Sequence, residues 1–531
     1  MPALTIHCAL FSLHMCTQYP LLTYTVHVCL PADFQYFPKE GKRPPNPAFW
    51  WVREKGEEVK WTFEELSYLS RKTANVLSEA CNLCKGNRLL MILPRVPEWW
   101  LLSLACIRTG IIFIPATILL TAPDILYRLQ QSKVSCIVAN EATAPLVDAV
   151  GSECSWLKTR ILVSKSHKRE GWLNFHDLLQ AVSDQHQPVQ TKCLDPMTIY
   201  FTSGTMGYPK MVQHSHGSLG FGLATVAREW MDLTSSDIIW GLSDPSWIKF
   251  ALGSFFCPWS QGSCIFQHGF LQFDPKVVLE SLVKYPVTTF CGTPTIFRIL
   301  LQHNASRYKF KSLHTCLGGG EPCNLDLLKE WKAETGFDIG EGYGQTESVS
   351  LQPIIDENNN CLPPGEEGDI AVKIKPQRPV GLFSGYVNDP EKTAATERGD
   401  YYITGDKGLM DEDGYVQFIA RADDIILSSG YRIGPFEVEY ALMKHPAVAE
   451  AAVVSSPDPI RGEVVKAFII LTPAYQSQDQ EKLSLELQGH VKKITAPYKY
   501  PRKIEFVQDL PKTISGKIKK RLLRKKEWET A

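Results

Sequence analysis

From about Pro44 onward, short apolar runs alternate with stretches of helical spacing. "RLLMILP" leads to "EWWLLSLACIRTG", "IIFIPA" to "PDILYRLQQS", and "VSCIVA" follows. Short apolar runs bounded by turn signals read as buried strands, and their alternation with helices predicts parallel strands in an α/β fold. The rhythm recurs at "DIIWGLS", "SCIFQH", "VTTFCGTP" and "HTCLGGGEP". Beyond Cys361 the runs shorten and Gly and Asp-Gly punctuate them, in "PPGEEGDIAVKI" and "YYITGDKGLMDEDGYVQFIARADDIIL". That change predicts an antiparallel, barrel-like subdomain. A last unit starts near Arg421 and ends in a basic tail, "KTISGKIKKRLLRKK", which by itself reads as a glycine-bearing loop before a solvated helix face.

The most apolar window, Leu101 to Leu120, approaches membrane length but carries Arg108, Gly110 and Pro115. It predicts helix, turn and buried strand, and no stable membrane span. Composition adds little direction: 56 basic against 57 acidic side chains leave a net charge of -1, so any anion must be held by local groups. Fifteen cysteines, an odd number spread from Cys8 to Cys361, do not form a disulfide framework and favour a reducing compartment. The pair Cys81 and Cys84 lacks a second ligand pair nearby, so ordinary thiols are expected there. The first thirty residues contain no Lys, Arg, Asp or Glu, and so lack both a basic signal region and an Arg-rich import pattern.

The stretch Tyr200 to His216, "YFTSGTMGYPKMVQHSH", sets hydroxyls, glycines and a lysine behind an apolar strand. It fails the common phosphate-loop pattern, since Lys210 follows Pro209 rather than a glycine. Backbone N–H groups and hydroxyls in such a loop can still wrap oxyanions, with Lys210 as a point charge. Further polar clusters follow at the ends of expected strands: "EGYGQTE" (Glu341 to Glu347), "TGD" with "ARADD" (Thr404 to Asp424), and "KTISGK" (Lys512 to Lys517).

In this order and spacing the clusters resemble those of the adenylate-forming superfamily of acyl-CoA synthetases, luciferases and adenylation domains. "RPPNPAFWW", "LPRVPEWW", "SSGYRIGPFEVE" and "TAPYKYPRKIEF" look like the mitochondrial medium-chain acyl-CoA synthetases. The resemblance covers nearly the whole chain from about residue 40. It implies an α/β fold with a large N-terminal domain of two α/β subdomains plus a small β-barrel, followed by a small mobile α+β C-terminal domain. The boundaries it suggests are a divergent segment 1–38, an adenylation domain 39–420 and a mobile domain 421–531.

The implied reaction joins a medium-chain fatty acid to coenzyme A at the expense of ATP, through acyl-AMP and pyrophosphate, with positioning and charge neutralisation as the main catalytic devices. Thr202, Ser203, Gly204, Thr205, Gly207 and Lys210 would hold the β- and γ-phosphates, within an ATP-binding stretch that also includes Met206, Tyr208 and Pro209. Glu341, Gly342, Tyr343, Gly344 and Gln345 would line adenine, Thr346 would bond the α-phosphate or carboxylate, and Glu347 would ligate Mg²⁺. Asp406 would accept both ribose hydroxyls, Arg421 would bind the ribose and phosphate end, and Lys517 would reach the α-phosphate and bridging oxygens. Rotation about a hinge at Asp423 would then replace Lys517 by Ser429, Gly430, Tyr431 and Arg432 at the thioester site. Arg461, Lys492, Tyr500 and Arg502 would hold the coenzyme A nucleotide. Trp247, Gly319, Gly320 and Leu119 would wall the acyl pocket. The family also suggests the mitochondrial matrix, and a monomer or weak homo-oligomer.

The chain departs from the family pattern at Met206, where a second hydroxyl is usual; one hydrogen bond to a charged oxygen is worth about 1.5 to 3 kcal/mol. "SDPSW" replaces S-D-T-G-W and stiffens a pocket wall at Pro245. Only thirteen residues separate Glu347 from Cys361, where relatives carry a longer piece with a further strand, so an unpaired edge or a cavity is expected below the site. An alternative to the ligase is therefore a catalytically impaired relative that binds nucleotide or acyl-CoA. A nucleic-acid-binding protein using the basic tail is disfavoured, because stacking aromatics and base-reading motifs are absent there.

Overall fold

A computed structural model describes residues 46–53, 56–202, 209–321, 323, 325–348, 353–428, 431–513 and 517–530. The expected loop positions Ser203, Gly204, Thr205, Met206, Gly207 and Tyr208, together with Ser429, Gly430 and the N-terminal segment, lie outside these residues.

Two large sheets carry the first part of the chain. In the eight-stranded sheet, Pro196–Thr202, Ile112–Ala116, Arg88–Ile92, Cys136–Asn140 and Thr159–Val163 run side by side in that order and pair in parallel. The seven-stranded sheet has Ile339–Gly342, Thr315–Gly319, Thr289–Gly292, Ile238–Gly241, Cys264–His268 and Phe49–Val52 in parallel order, closed by Glu58–Trp61 antiparallel. The strands fall on the apolar runs because a parallel strand covered on both faces buries nearly every position. Lys210–Ser215, which the alternating pattern does not announce, joins the first sheet antiparallel to Pro196–Thr202.

Between the sheets lies helix Pro97–Thr109, with twelve of its thirteen residues buried. Pro97 opens it where a missing N–H costs nothing, and Gly110 closes it at φ 69, a conformation that Cβ disfavours. Strand Ile112–Ala116 follows at once, so the apolar window from Leu101 is helix, turn and strand as its Arg, Gly and Pro predict. A helix apolar on every side belongs between two layers. Here Trp99 and Trp100 pack on Phe250, and the Trp100 indole donates to the Ser254 carbonyl at 2.7 Å. No helix among the described residues is long and apolar enough to cross a membrane.

A third, antiparallel sheet of five strands includes Gly368–Lys373, Tyr401–Met410 and Val416–Arg421. On one edge of it, at the shortened segment after Glu347, stands a strand of only two residues, Ile354–Ile355. A fourth sheet is built on the long hairpin of Val448–Asp458 and Gly462–Leu471, with its own buried core of Val438, Ala441, Val453, Ala467 and Leu487.

The last part of the chain reaches the first through polar contacts. Asp326, on helix Leu325–Thr335, accepts from the Tyr440 hydroxyl and pairs with Lys444 at 2.8 Å, both at the end of helix Pro435–Met443 or just past it. Arg432 pairs with Glu357 at 3.6 Å.

The basic tail is not simply a solvated face. In helix Lys520–Thr530, Lys520 pairs with buried Glu439 at 2.7 Å, and Arg524 donates to the Asp423 carbonyl. Lys526 pairs with Glu505 at 2.9 Å.

Candidate active site

The strand ends of both large sheets and the third sheet open onto one cleft of about 4040 Å³, faced by the C-terminal part of the chain. Thr202 and Lys210 are direct partners in the antiparallel register of their two strands. Lys210 stands 5.0 Å over the Tyr386 ring. Burial pulls its ammonium pKa down and the Glu347 carboxylate opposes that shift. Glu347 accepts from the Tyr386 hydroxyl at 2.9 Å, and its carbonyl receives the Phe383 N–H at 2.9 Å.

Asp406 is 6% exposed on strand Tyr401–Met410 and lies directly opposite Arg421 in the neighbouring strand. Its Oδ2 accepts from the Tyr343 hydroxyl and from Gln345 Nε2, each at 2.7 Å, while Oδ1 faces Arg421 Nε at 3.7 Å. Burial raises its carboxyl pKa, opposed by these donors and the guanidinium. Tyr343 also stacks on Phe418, with ring centroids 6.3 Å apart. Beside it Gly342 admits no side chain: a Cβ there would lie 2.4 Å from Trp230 Cζ2. The Trp230 indole donates to the Glu341 carbonyl at 3.3 Å, and the Glu341 carboxylate accepts from the Cys323 N–H at 3.0 Å.

Across the cleft, Lys517 Nζ lies 5.9 Å over the Trp247 ring. The residue keeps an exposed face toward the cleft, yet surrounding protein lowers its ammonium pKa, with Glu321 acting in the opposite sense. Trp247, Gly319, Gly320 and the exposed Leu119 all line the cleft.

A family model described as "AMP-binding enzyme" matches residues 39–352, and one described as "AMP-binding enzyme C-terminal domain" matches 437–517. The chain belongs to the AMP-binding enzyme family. It is 57% identical over 514 residues to the human protein "Acyl-coenzyme A synthetase ACSM3, mitochondrial", covering 93% of this chain and 88% of that one. To human "Acyl-coenzyme A synthetase ACSM4, mitochondrial" it is 58% identical over 512 residues, covering 92% and 88%. Among solved structures it is similar to the anthranilate CoA ligase AuaEII in complex with anthranoyl-AMP, at TM-score 0.83 and 25% identity over 96% and 98% of the two chains. A benzoate CoA ligase from Burkholderia xenovorans LB400 superposes at TM-score 0.77 and 25% identity, over 91% and 97%.

Most of the described residues expected at coenzyme A do not line the cleft of this AMP-binding enzyme. Arg432 lines it, and Tyr431 stacks on Tyr498 at 4.2 Å. Lys492 and Arg502 instead cover the ring of Tyr500 at 3.9 and 4.8 Å, and Arg461 stands beside Asp458 at 3.9 Å. Asp423 lies within 3.7 Å of Arg421, at the edge of the cleft.

Sequence reasoning missed several residues that support the site. Tyr386 and Phe418 carry no motif. Lys249 leaves one trace, a single charge in the otherwise apolar "WIKFALGSFF". His214, fully buried, holds the Thr346 carbonyl through Nε2 at 2.6 Å and meets Ser218 Oγ through Nδ1 at 3.0 Å. Burial pushes its pKa down to about 4, so the ring is neutral and donates to Thr346. His214→Ala is expected to lower the rate of the first chemical step about tenfold by orphaning that carbonyl, with His214→Gln, which keeps an N–H donor, recovering part of it. An undiminished rate in His214→Ala refutes this.

Proposed function

We propose that the protein is a medium-chain fatty acid:CoA ligase that forms acyl-AMP and pyrophosphate from acid and ATP, then transfers the acyl group to coenzyme A. The observation that carries this reading is the convergence of Lys210, Thr346, Glu347, Asp406, Arg421 and Lys517 on one cleft beside Trp247, Gly319 and Gly320. A carboxylate is a poor electrophile. Attack by its oxygen on the α-phosphorus, with departure of pyrophosphate, yields a mixed anhydride that a thiol can open.

Thr202 and Lys210 hold the outer phosphates in this reading, the lysine as a point charge, with Pro209 beside them at the nucleotide. Thr346, fixed by His214, meets the α-phosphate. Asp406, flanked by Arg421, accepts the ribose hydroxyls, and Tyr343 with Gly344 and Gln345 lines the base. Lys517 stabilises the charge that develops as the oxygen attacks. Among the described residues no cluster of His, Cys, Asp and Glu stands ready to hold a metal by itself. Mg²⁺ bound to nucleotide takes one or two carboxylates and phosphate oxygens, a donor set that Glu347 fits, and it would neutralise the triphosphate. The mobile domain is taken to run from residue 421 to 531, with Asp423 as its pivot and Tyr431, Arg432, Arg461, Lys492, Tyr500 and Arg502 serving coenzyme A after rotation. The mitochondrial matrix belongs to the same proposal, supported by the relatives' mitochondrial names, and so does a monomeric or weakly oligomeric state.

The test is carboxylate-dependent exchange between ATP and pyrophosphate over a panel of acids, followed by thioester formation with coenzyme A. Exchange strongest with medium-chain acids is expected. Folded protein that exchanges with no acid overturns the ligase.

A further inference from the structure

Lys249 is the only charged residue between Trp247 and Trp259, in the short helix Ile248–Ser254. Its ammonium donates to the carbonyl oxygens of Gly292 and, at 2.6 Å, of Gly319. Those carbonyls stand at the C-terminal ends of Thr289–Gly292 and Thr315–Gly319, neighbours paired in parallel with Gly292 opposite Gly318. The lysine therefore ties together two strand ends at the mouth of the sheet. Gly319 is close-packed on the next strand, since a Cβ there would come within 2.8 Å of the Gly342 carbonyl.

The stem has a separate role. A Cβ on Gly320 would have Lys249 Cδ as its neighbour, at 3.9 Å, so the methylenes flank the open side of that glycine. Lys249, Trp247, Leu252, Thr293, Ile296 and Gly320 all line the cleft. Burial disfavours the charged amine, while Cys291 and Glu321 offset this. Glu321 is held in turn by the Thr295 hydroxyl at 2.6 Å. A partly desolvated ammonium among apolar neighbours is costly unless bonded. Here its bonds go to the two carbonyls that frame the pocket wall.

We propose that Lys249 is a specificity-determining residue of the acyl site: its ammonium fixes the separation of the two strand ends, and its stem closes the pocket beside Gly320. The size of acid accepted is then set by this side chain. The proposal rests on the acid:CoA ligase reading and deepens it.

The experiment measures kcat/KM for a series of straight-chain and branched acids with the wild-type chain, Lys249→Ala, Lys249→Met and Lys249→Arg. Lys249→Ala opens the wall, and the ratio of long or branched over short acids is expected to rise roughly tenfold or more, the scale of one methylene in an apolar pocket. Lys249→Arg narrows the wall and shifts preference toward shorter acids. Lys249→Met keeps the stem but not the tether, so it retains the ranking while discriminating less sharply. These shifts fall on the KM for acid and leave the KM for ATP at its wild-type value.

Should Lys249→Ala fail to fold, the arginine variant carries the same test with opposite sign. A wild-type chain inactive with every acid overturns the ligase reading and this proposal with it. An active chain whose ranking is unmoved in the folded alanine and arginine variants overturns this proposal alone.

Discussion

Lys517→Ala lowers formation of acyl-AMP by roughly 10²- to 10³-fold, the usual loss when one charge-stabilising donor is removed, and leaves thioester formation from supplied acyl-AMP near its wild-type rate. The split is expected because Lys517 faces the cleft from a chain segment distinct from Tyr431 and Arg432. Its backbone is held by Thr513: the Lys517 N–H meets Thr513 Oγ1 at 3.1 Å, and the Thr513 N–H reaches the Lys517 carbonyl at 2.7 Å. Helix Lys520–Thr530 begins just beyond, anchored by Lys520 on Glu439. The charge also gives a pH signature. Burial depresses the ammonium pKa, so the positive charge is present at low pH and is lost as pH rises, before the ordinary lysine range. Adenylation should therefore fall on the alkaline side, and the limb should vanish in Lys517→Ala. Half-reactions measured separately decide the matter, and equal loss of both refutes the assigned role.

Asp406→Ala raises the KM for ATP by about 10²-fold or more, because two hydrogen bonds from ribose to a carboxylate, at about 1.5 to 3 kcal/mol each, lose their acceptor. The Tyr343 hydroxyl and the Gln345 amide lose their common partner as well. The ion pair with Arg421 adds little to this loss, being 3.7 Å long with the arginine half exposed. Saturating ATP should recover most of the rate, since ribose is remote from the bond that forms. Exchange measured against ATP concentration tests this, and an unchanged KM excludes Asp406 from the ribose.

The strand and helix rhythm was legible because burial on both faces leaves an unbroken apolar run, as at Ile112–Ala116, and because Gly110 and Pro115 mark the turn and strand around it. The order and spacing of the motifs pointed to a common site, and among the described residues Lys210, Thr346, Glu347, Asp406, Arg421 and Lys517 line one cleft. Their supports were not legible. That Asp406 faces Arg421 depends on strand register, which a local reading does not supply. His214 finds Thr346 across 132 residues, and Tyr386 finds Glu347 across 39. Such contacts are fixed only when the sheets assemble. Strand Lys210–Ser215 escaped notice because its polar residues interrupt the apolar pattern. The contacts of the basic tail were hidden for a related reason: eight cations in a row of fifteen give no sign that Glu439, Glu505 and the Asp423 carbonyl will meet three of them, beside a face that stays largely exposed.

The ion pairs that join the C-terminal part of the chain to the parts before it have a further physical meaning. Asp326 and its partner Lys444 are 54% and 36% exposed, and Glu357 with Arg432 are 80% and 54% exposed. Pairs this wet contribute about 0 to 1 kcal/mol each and weaken as the Debye length shrinks with added salt. These pairs act as a light electrostatic clasp rather than a weld. Thermal energy is enough to undo each of them, and the ionic strength of the surroundings sets how long they stay closed.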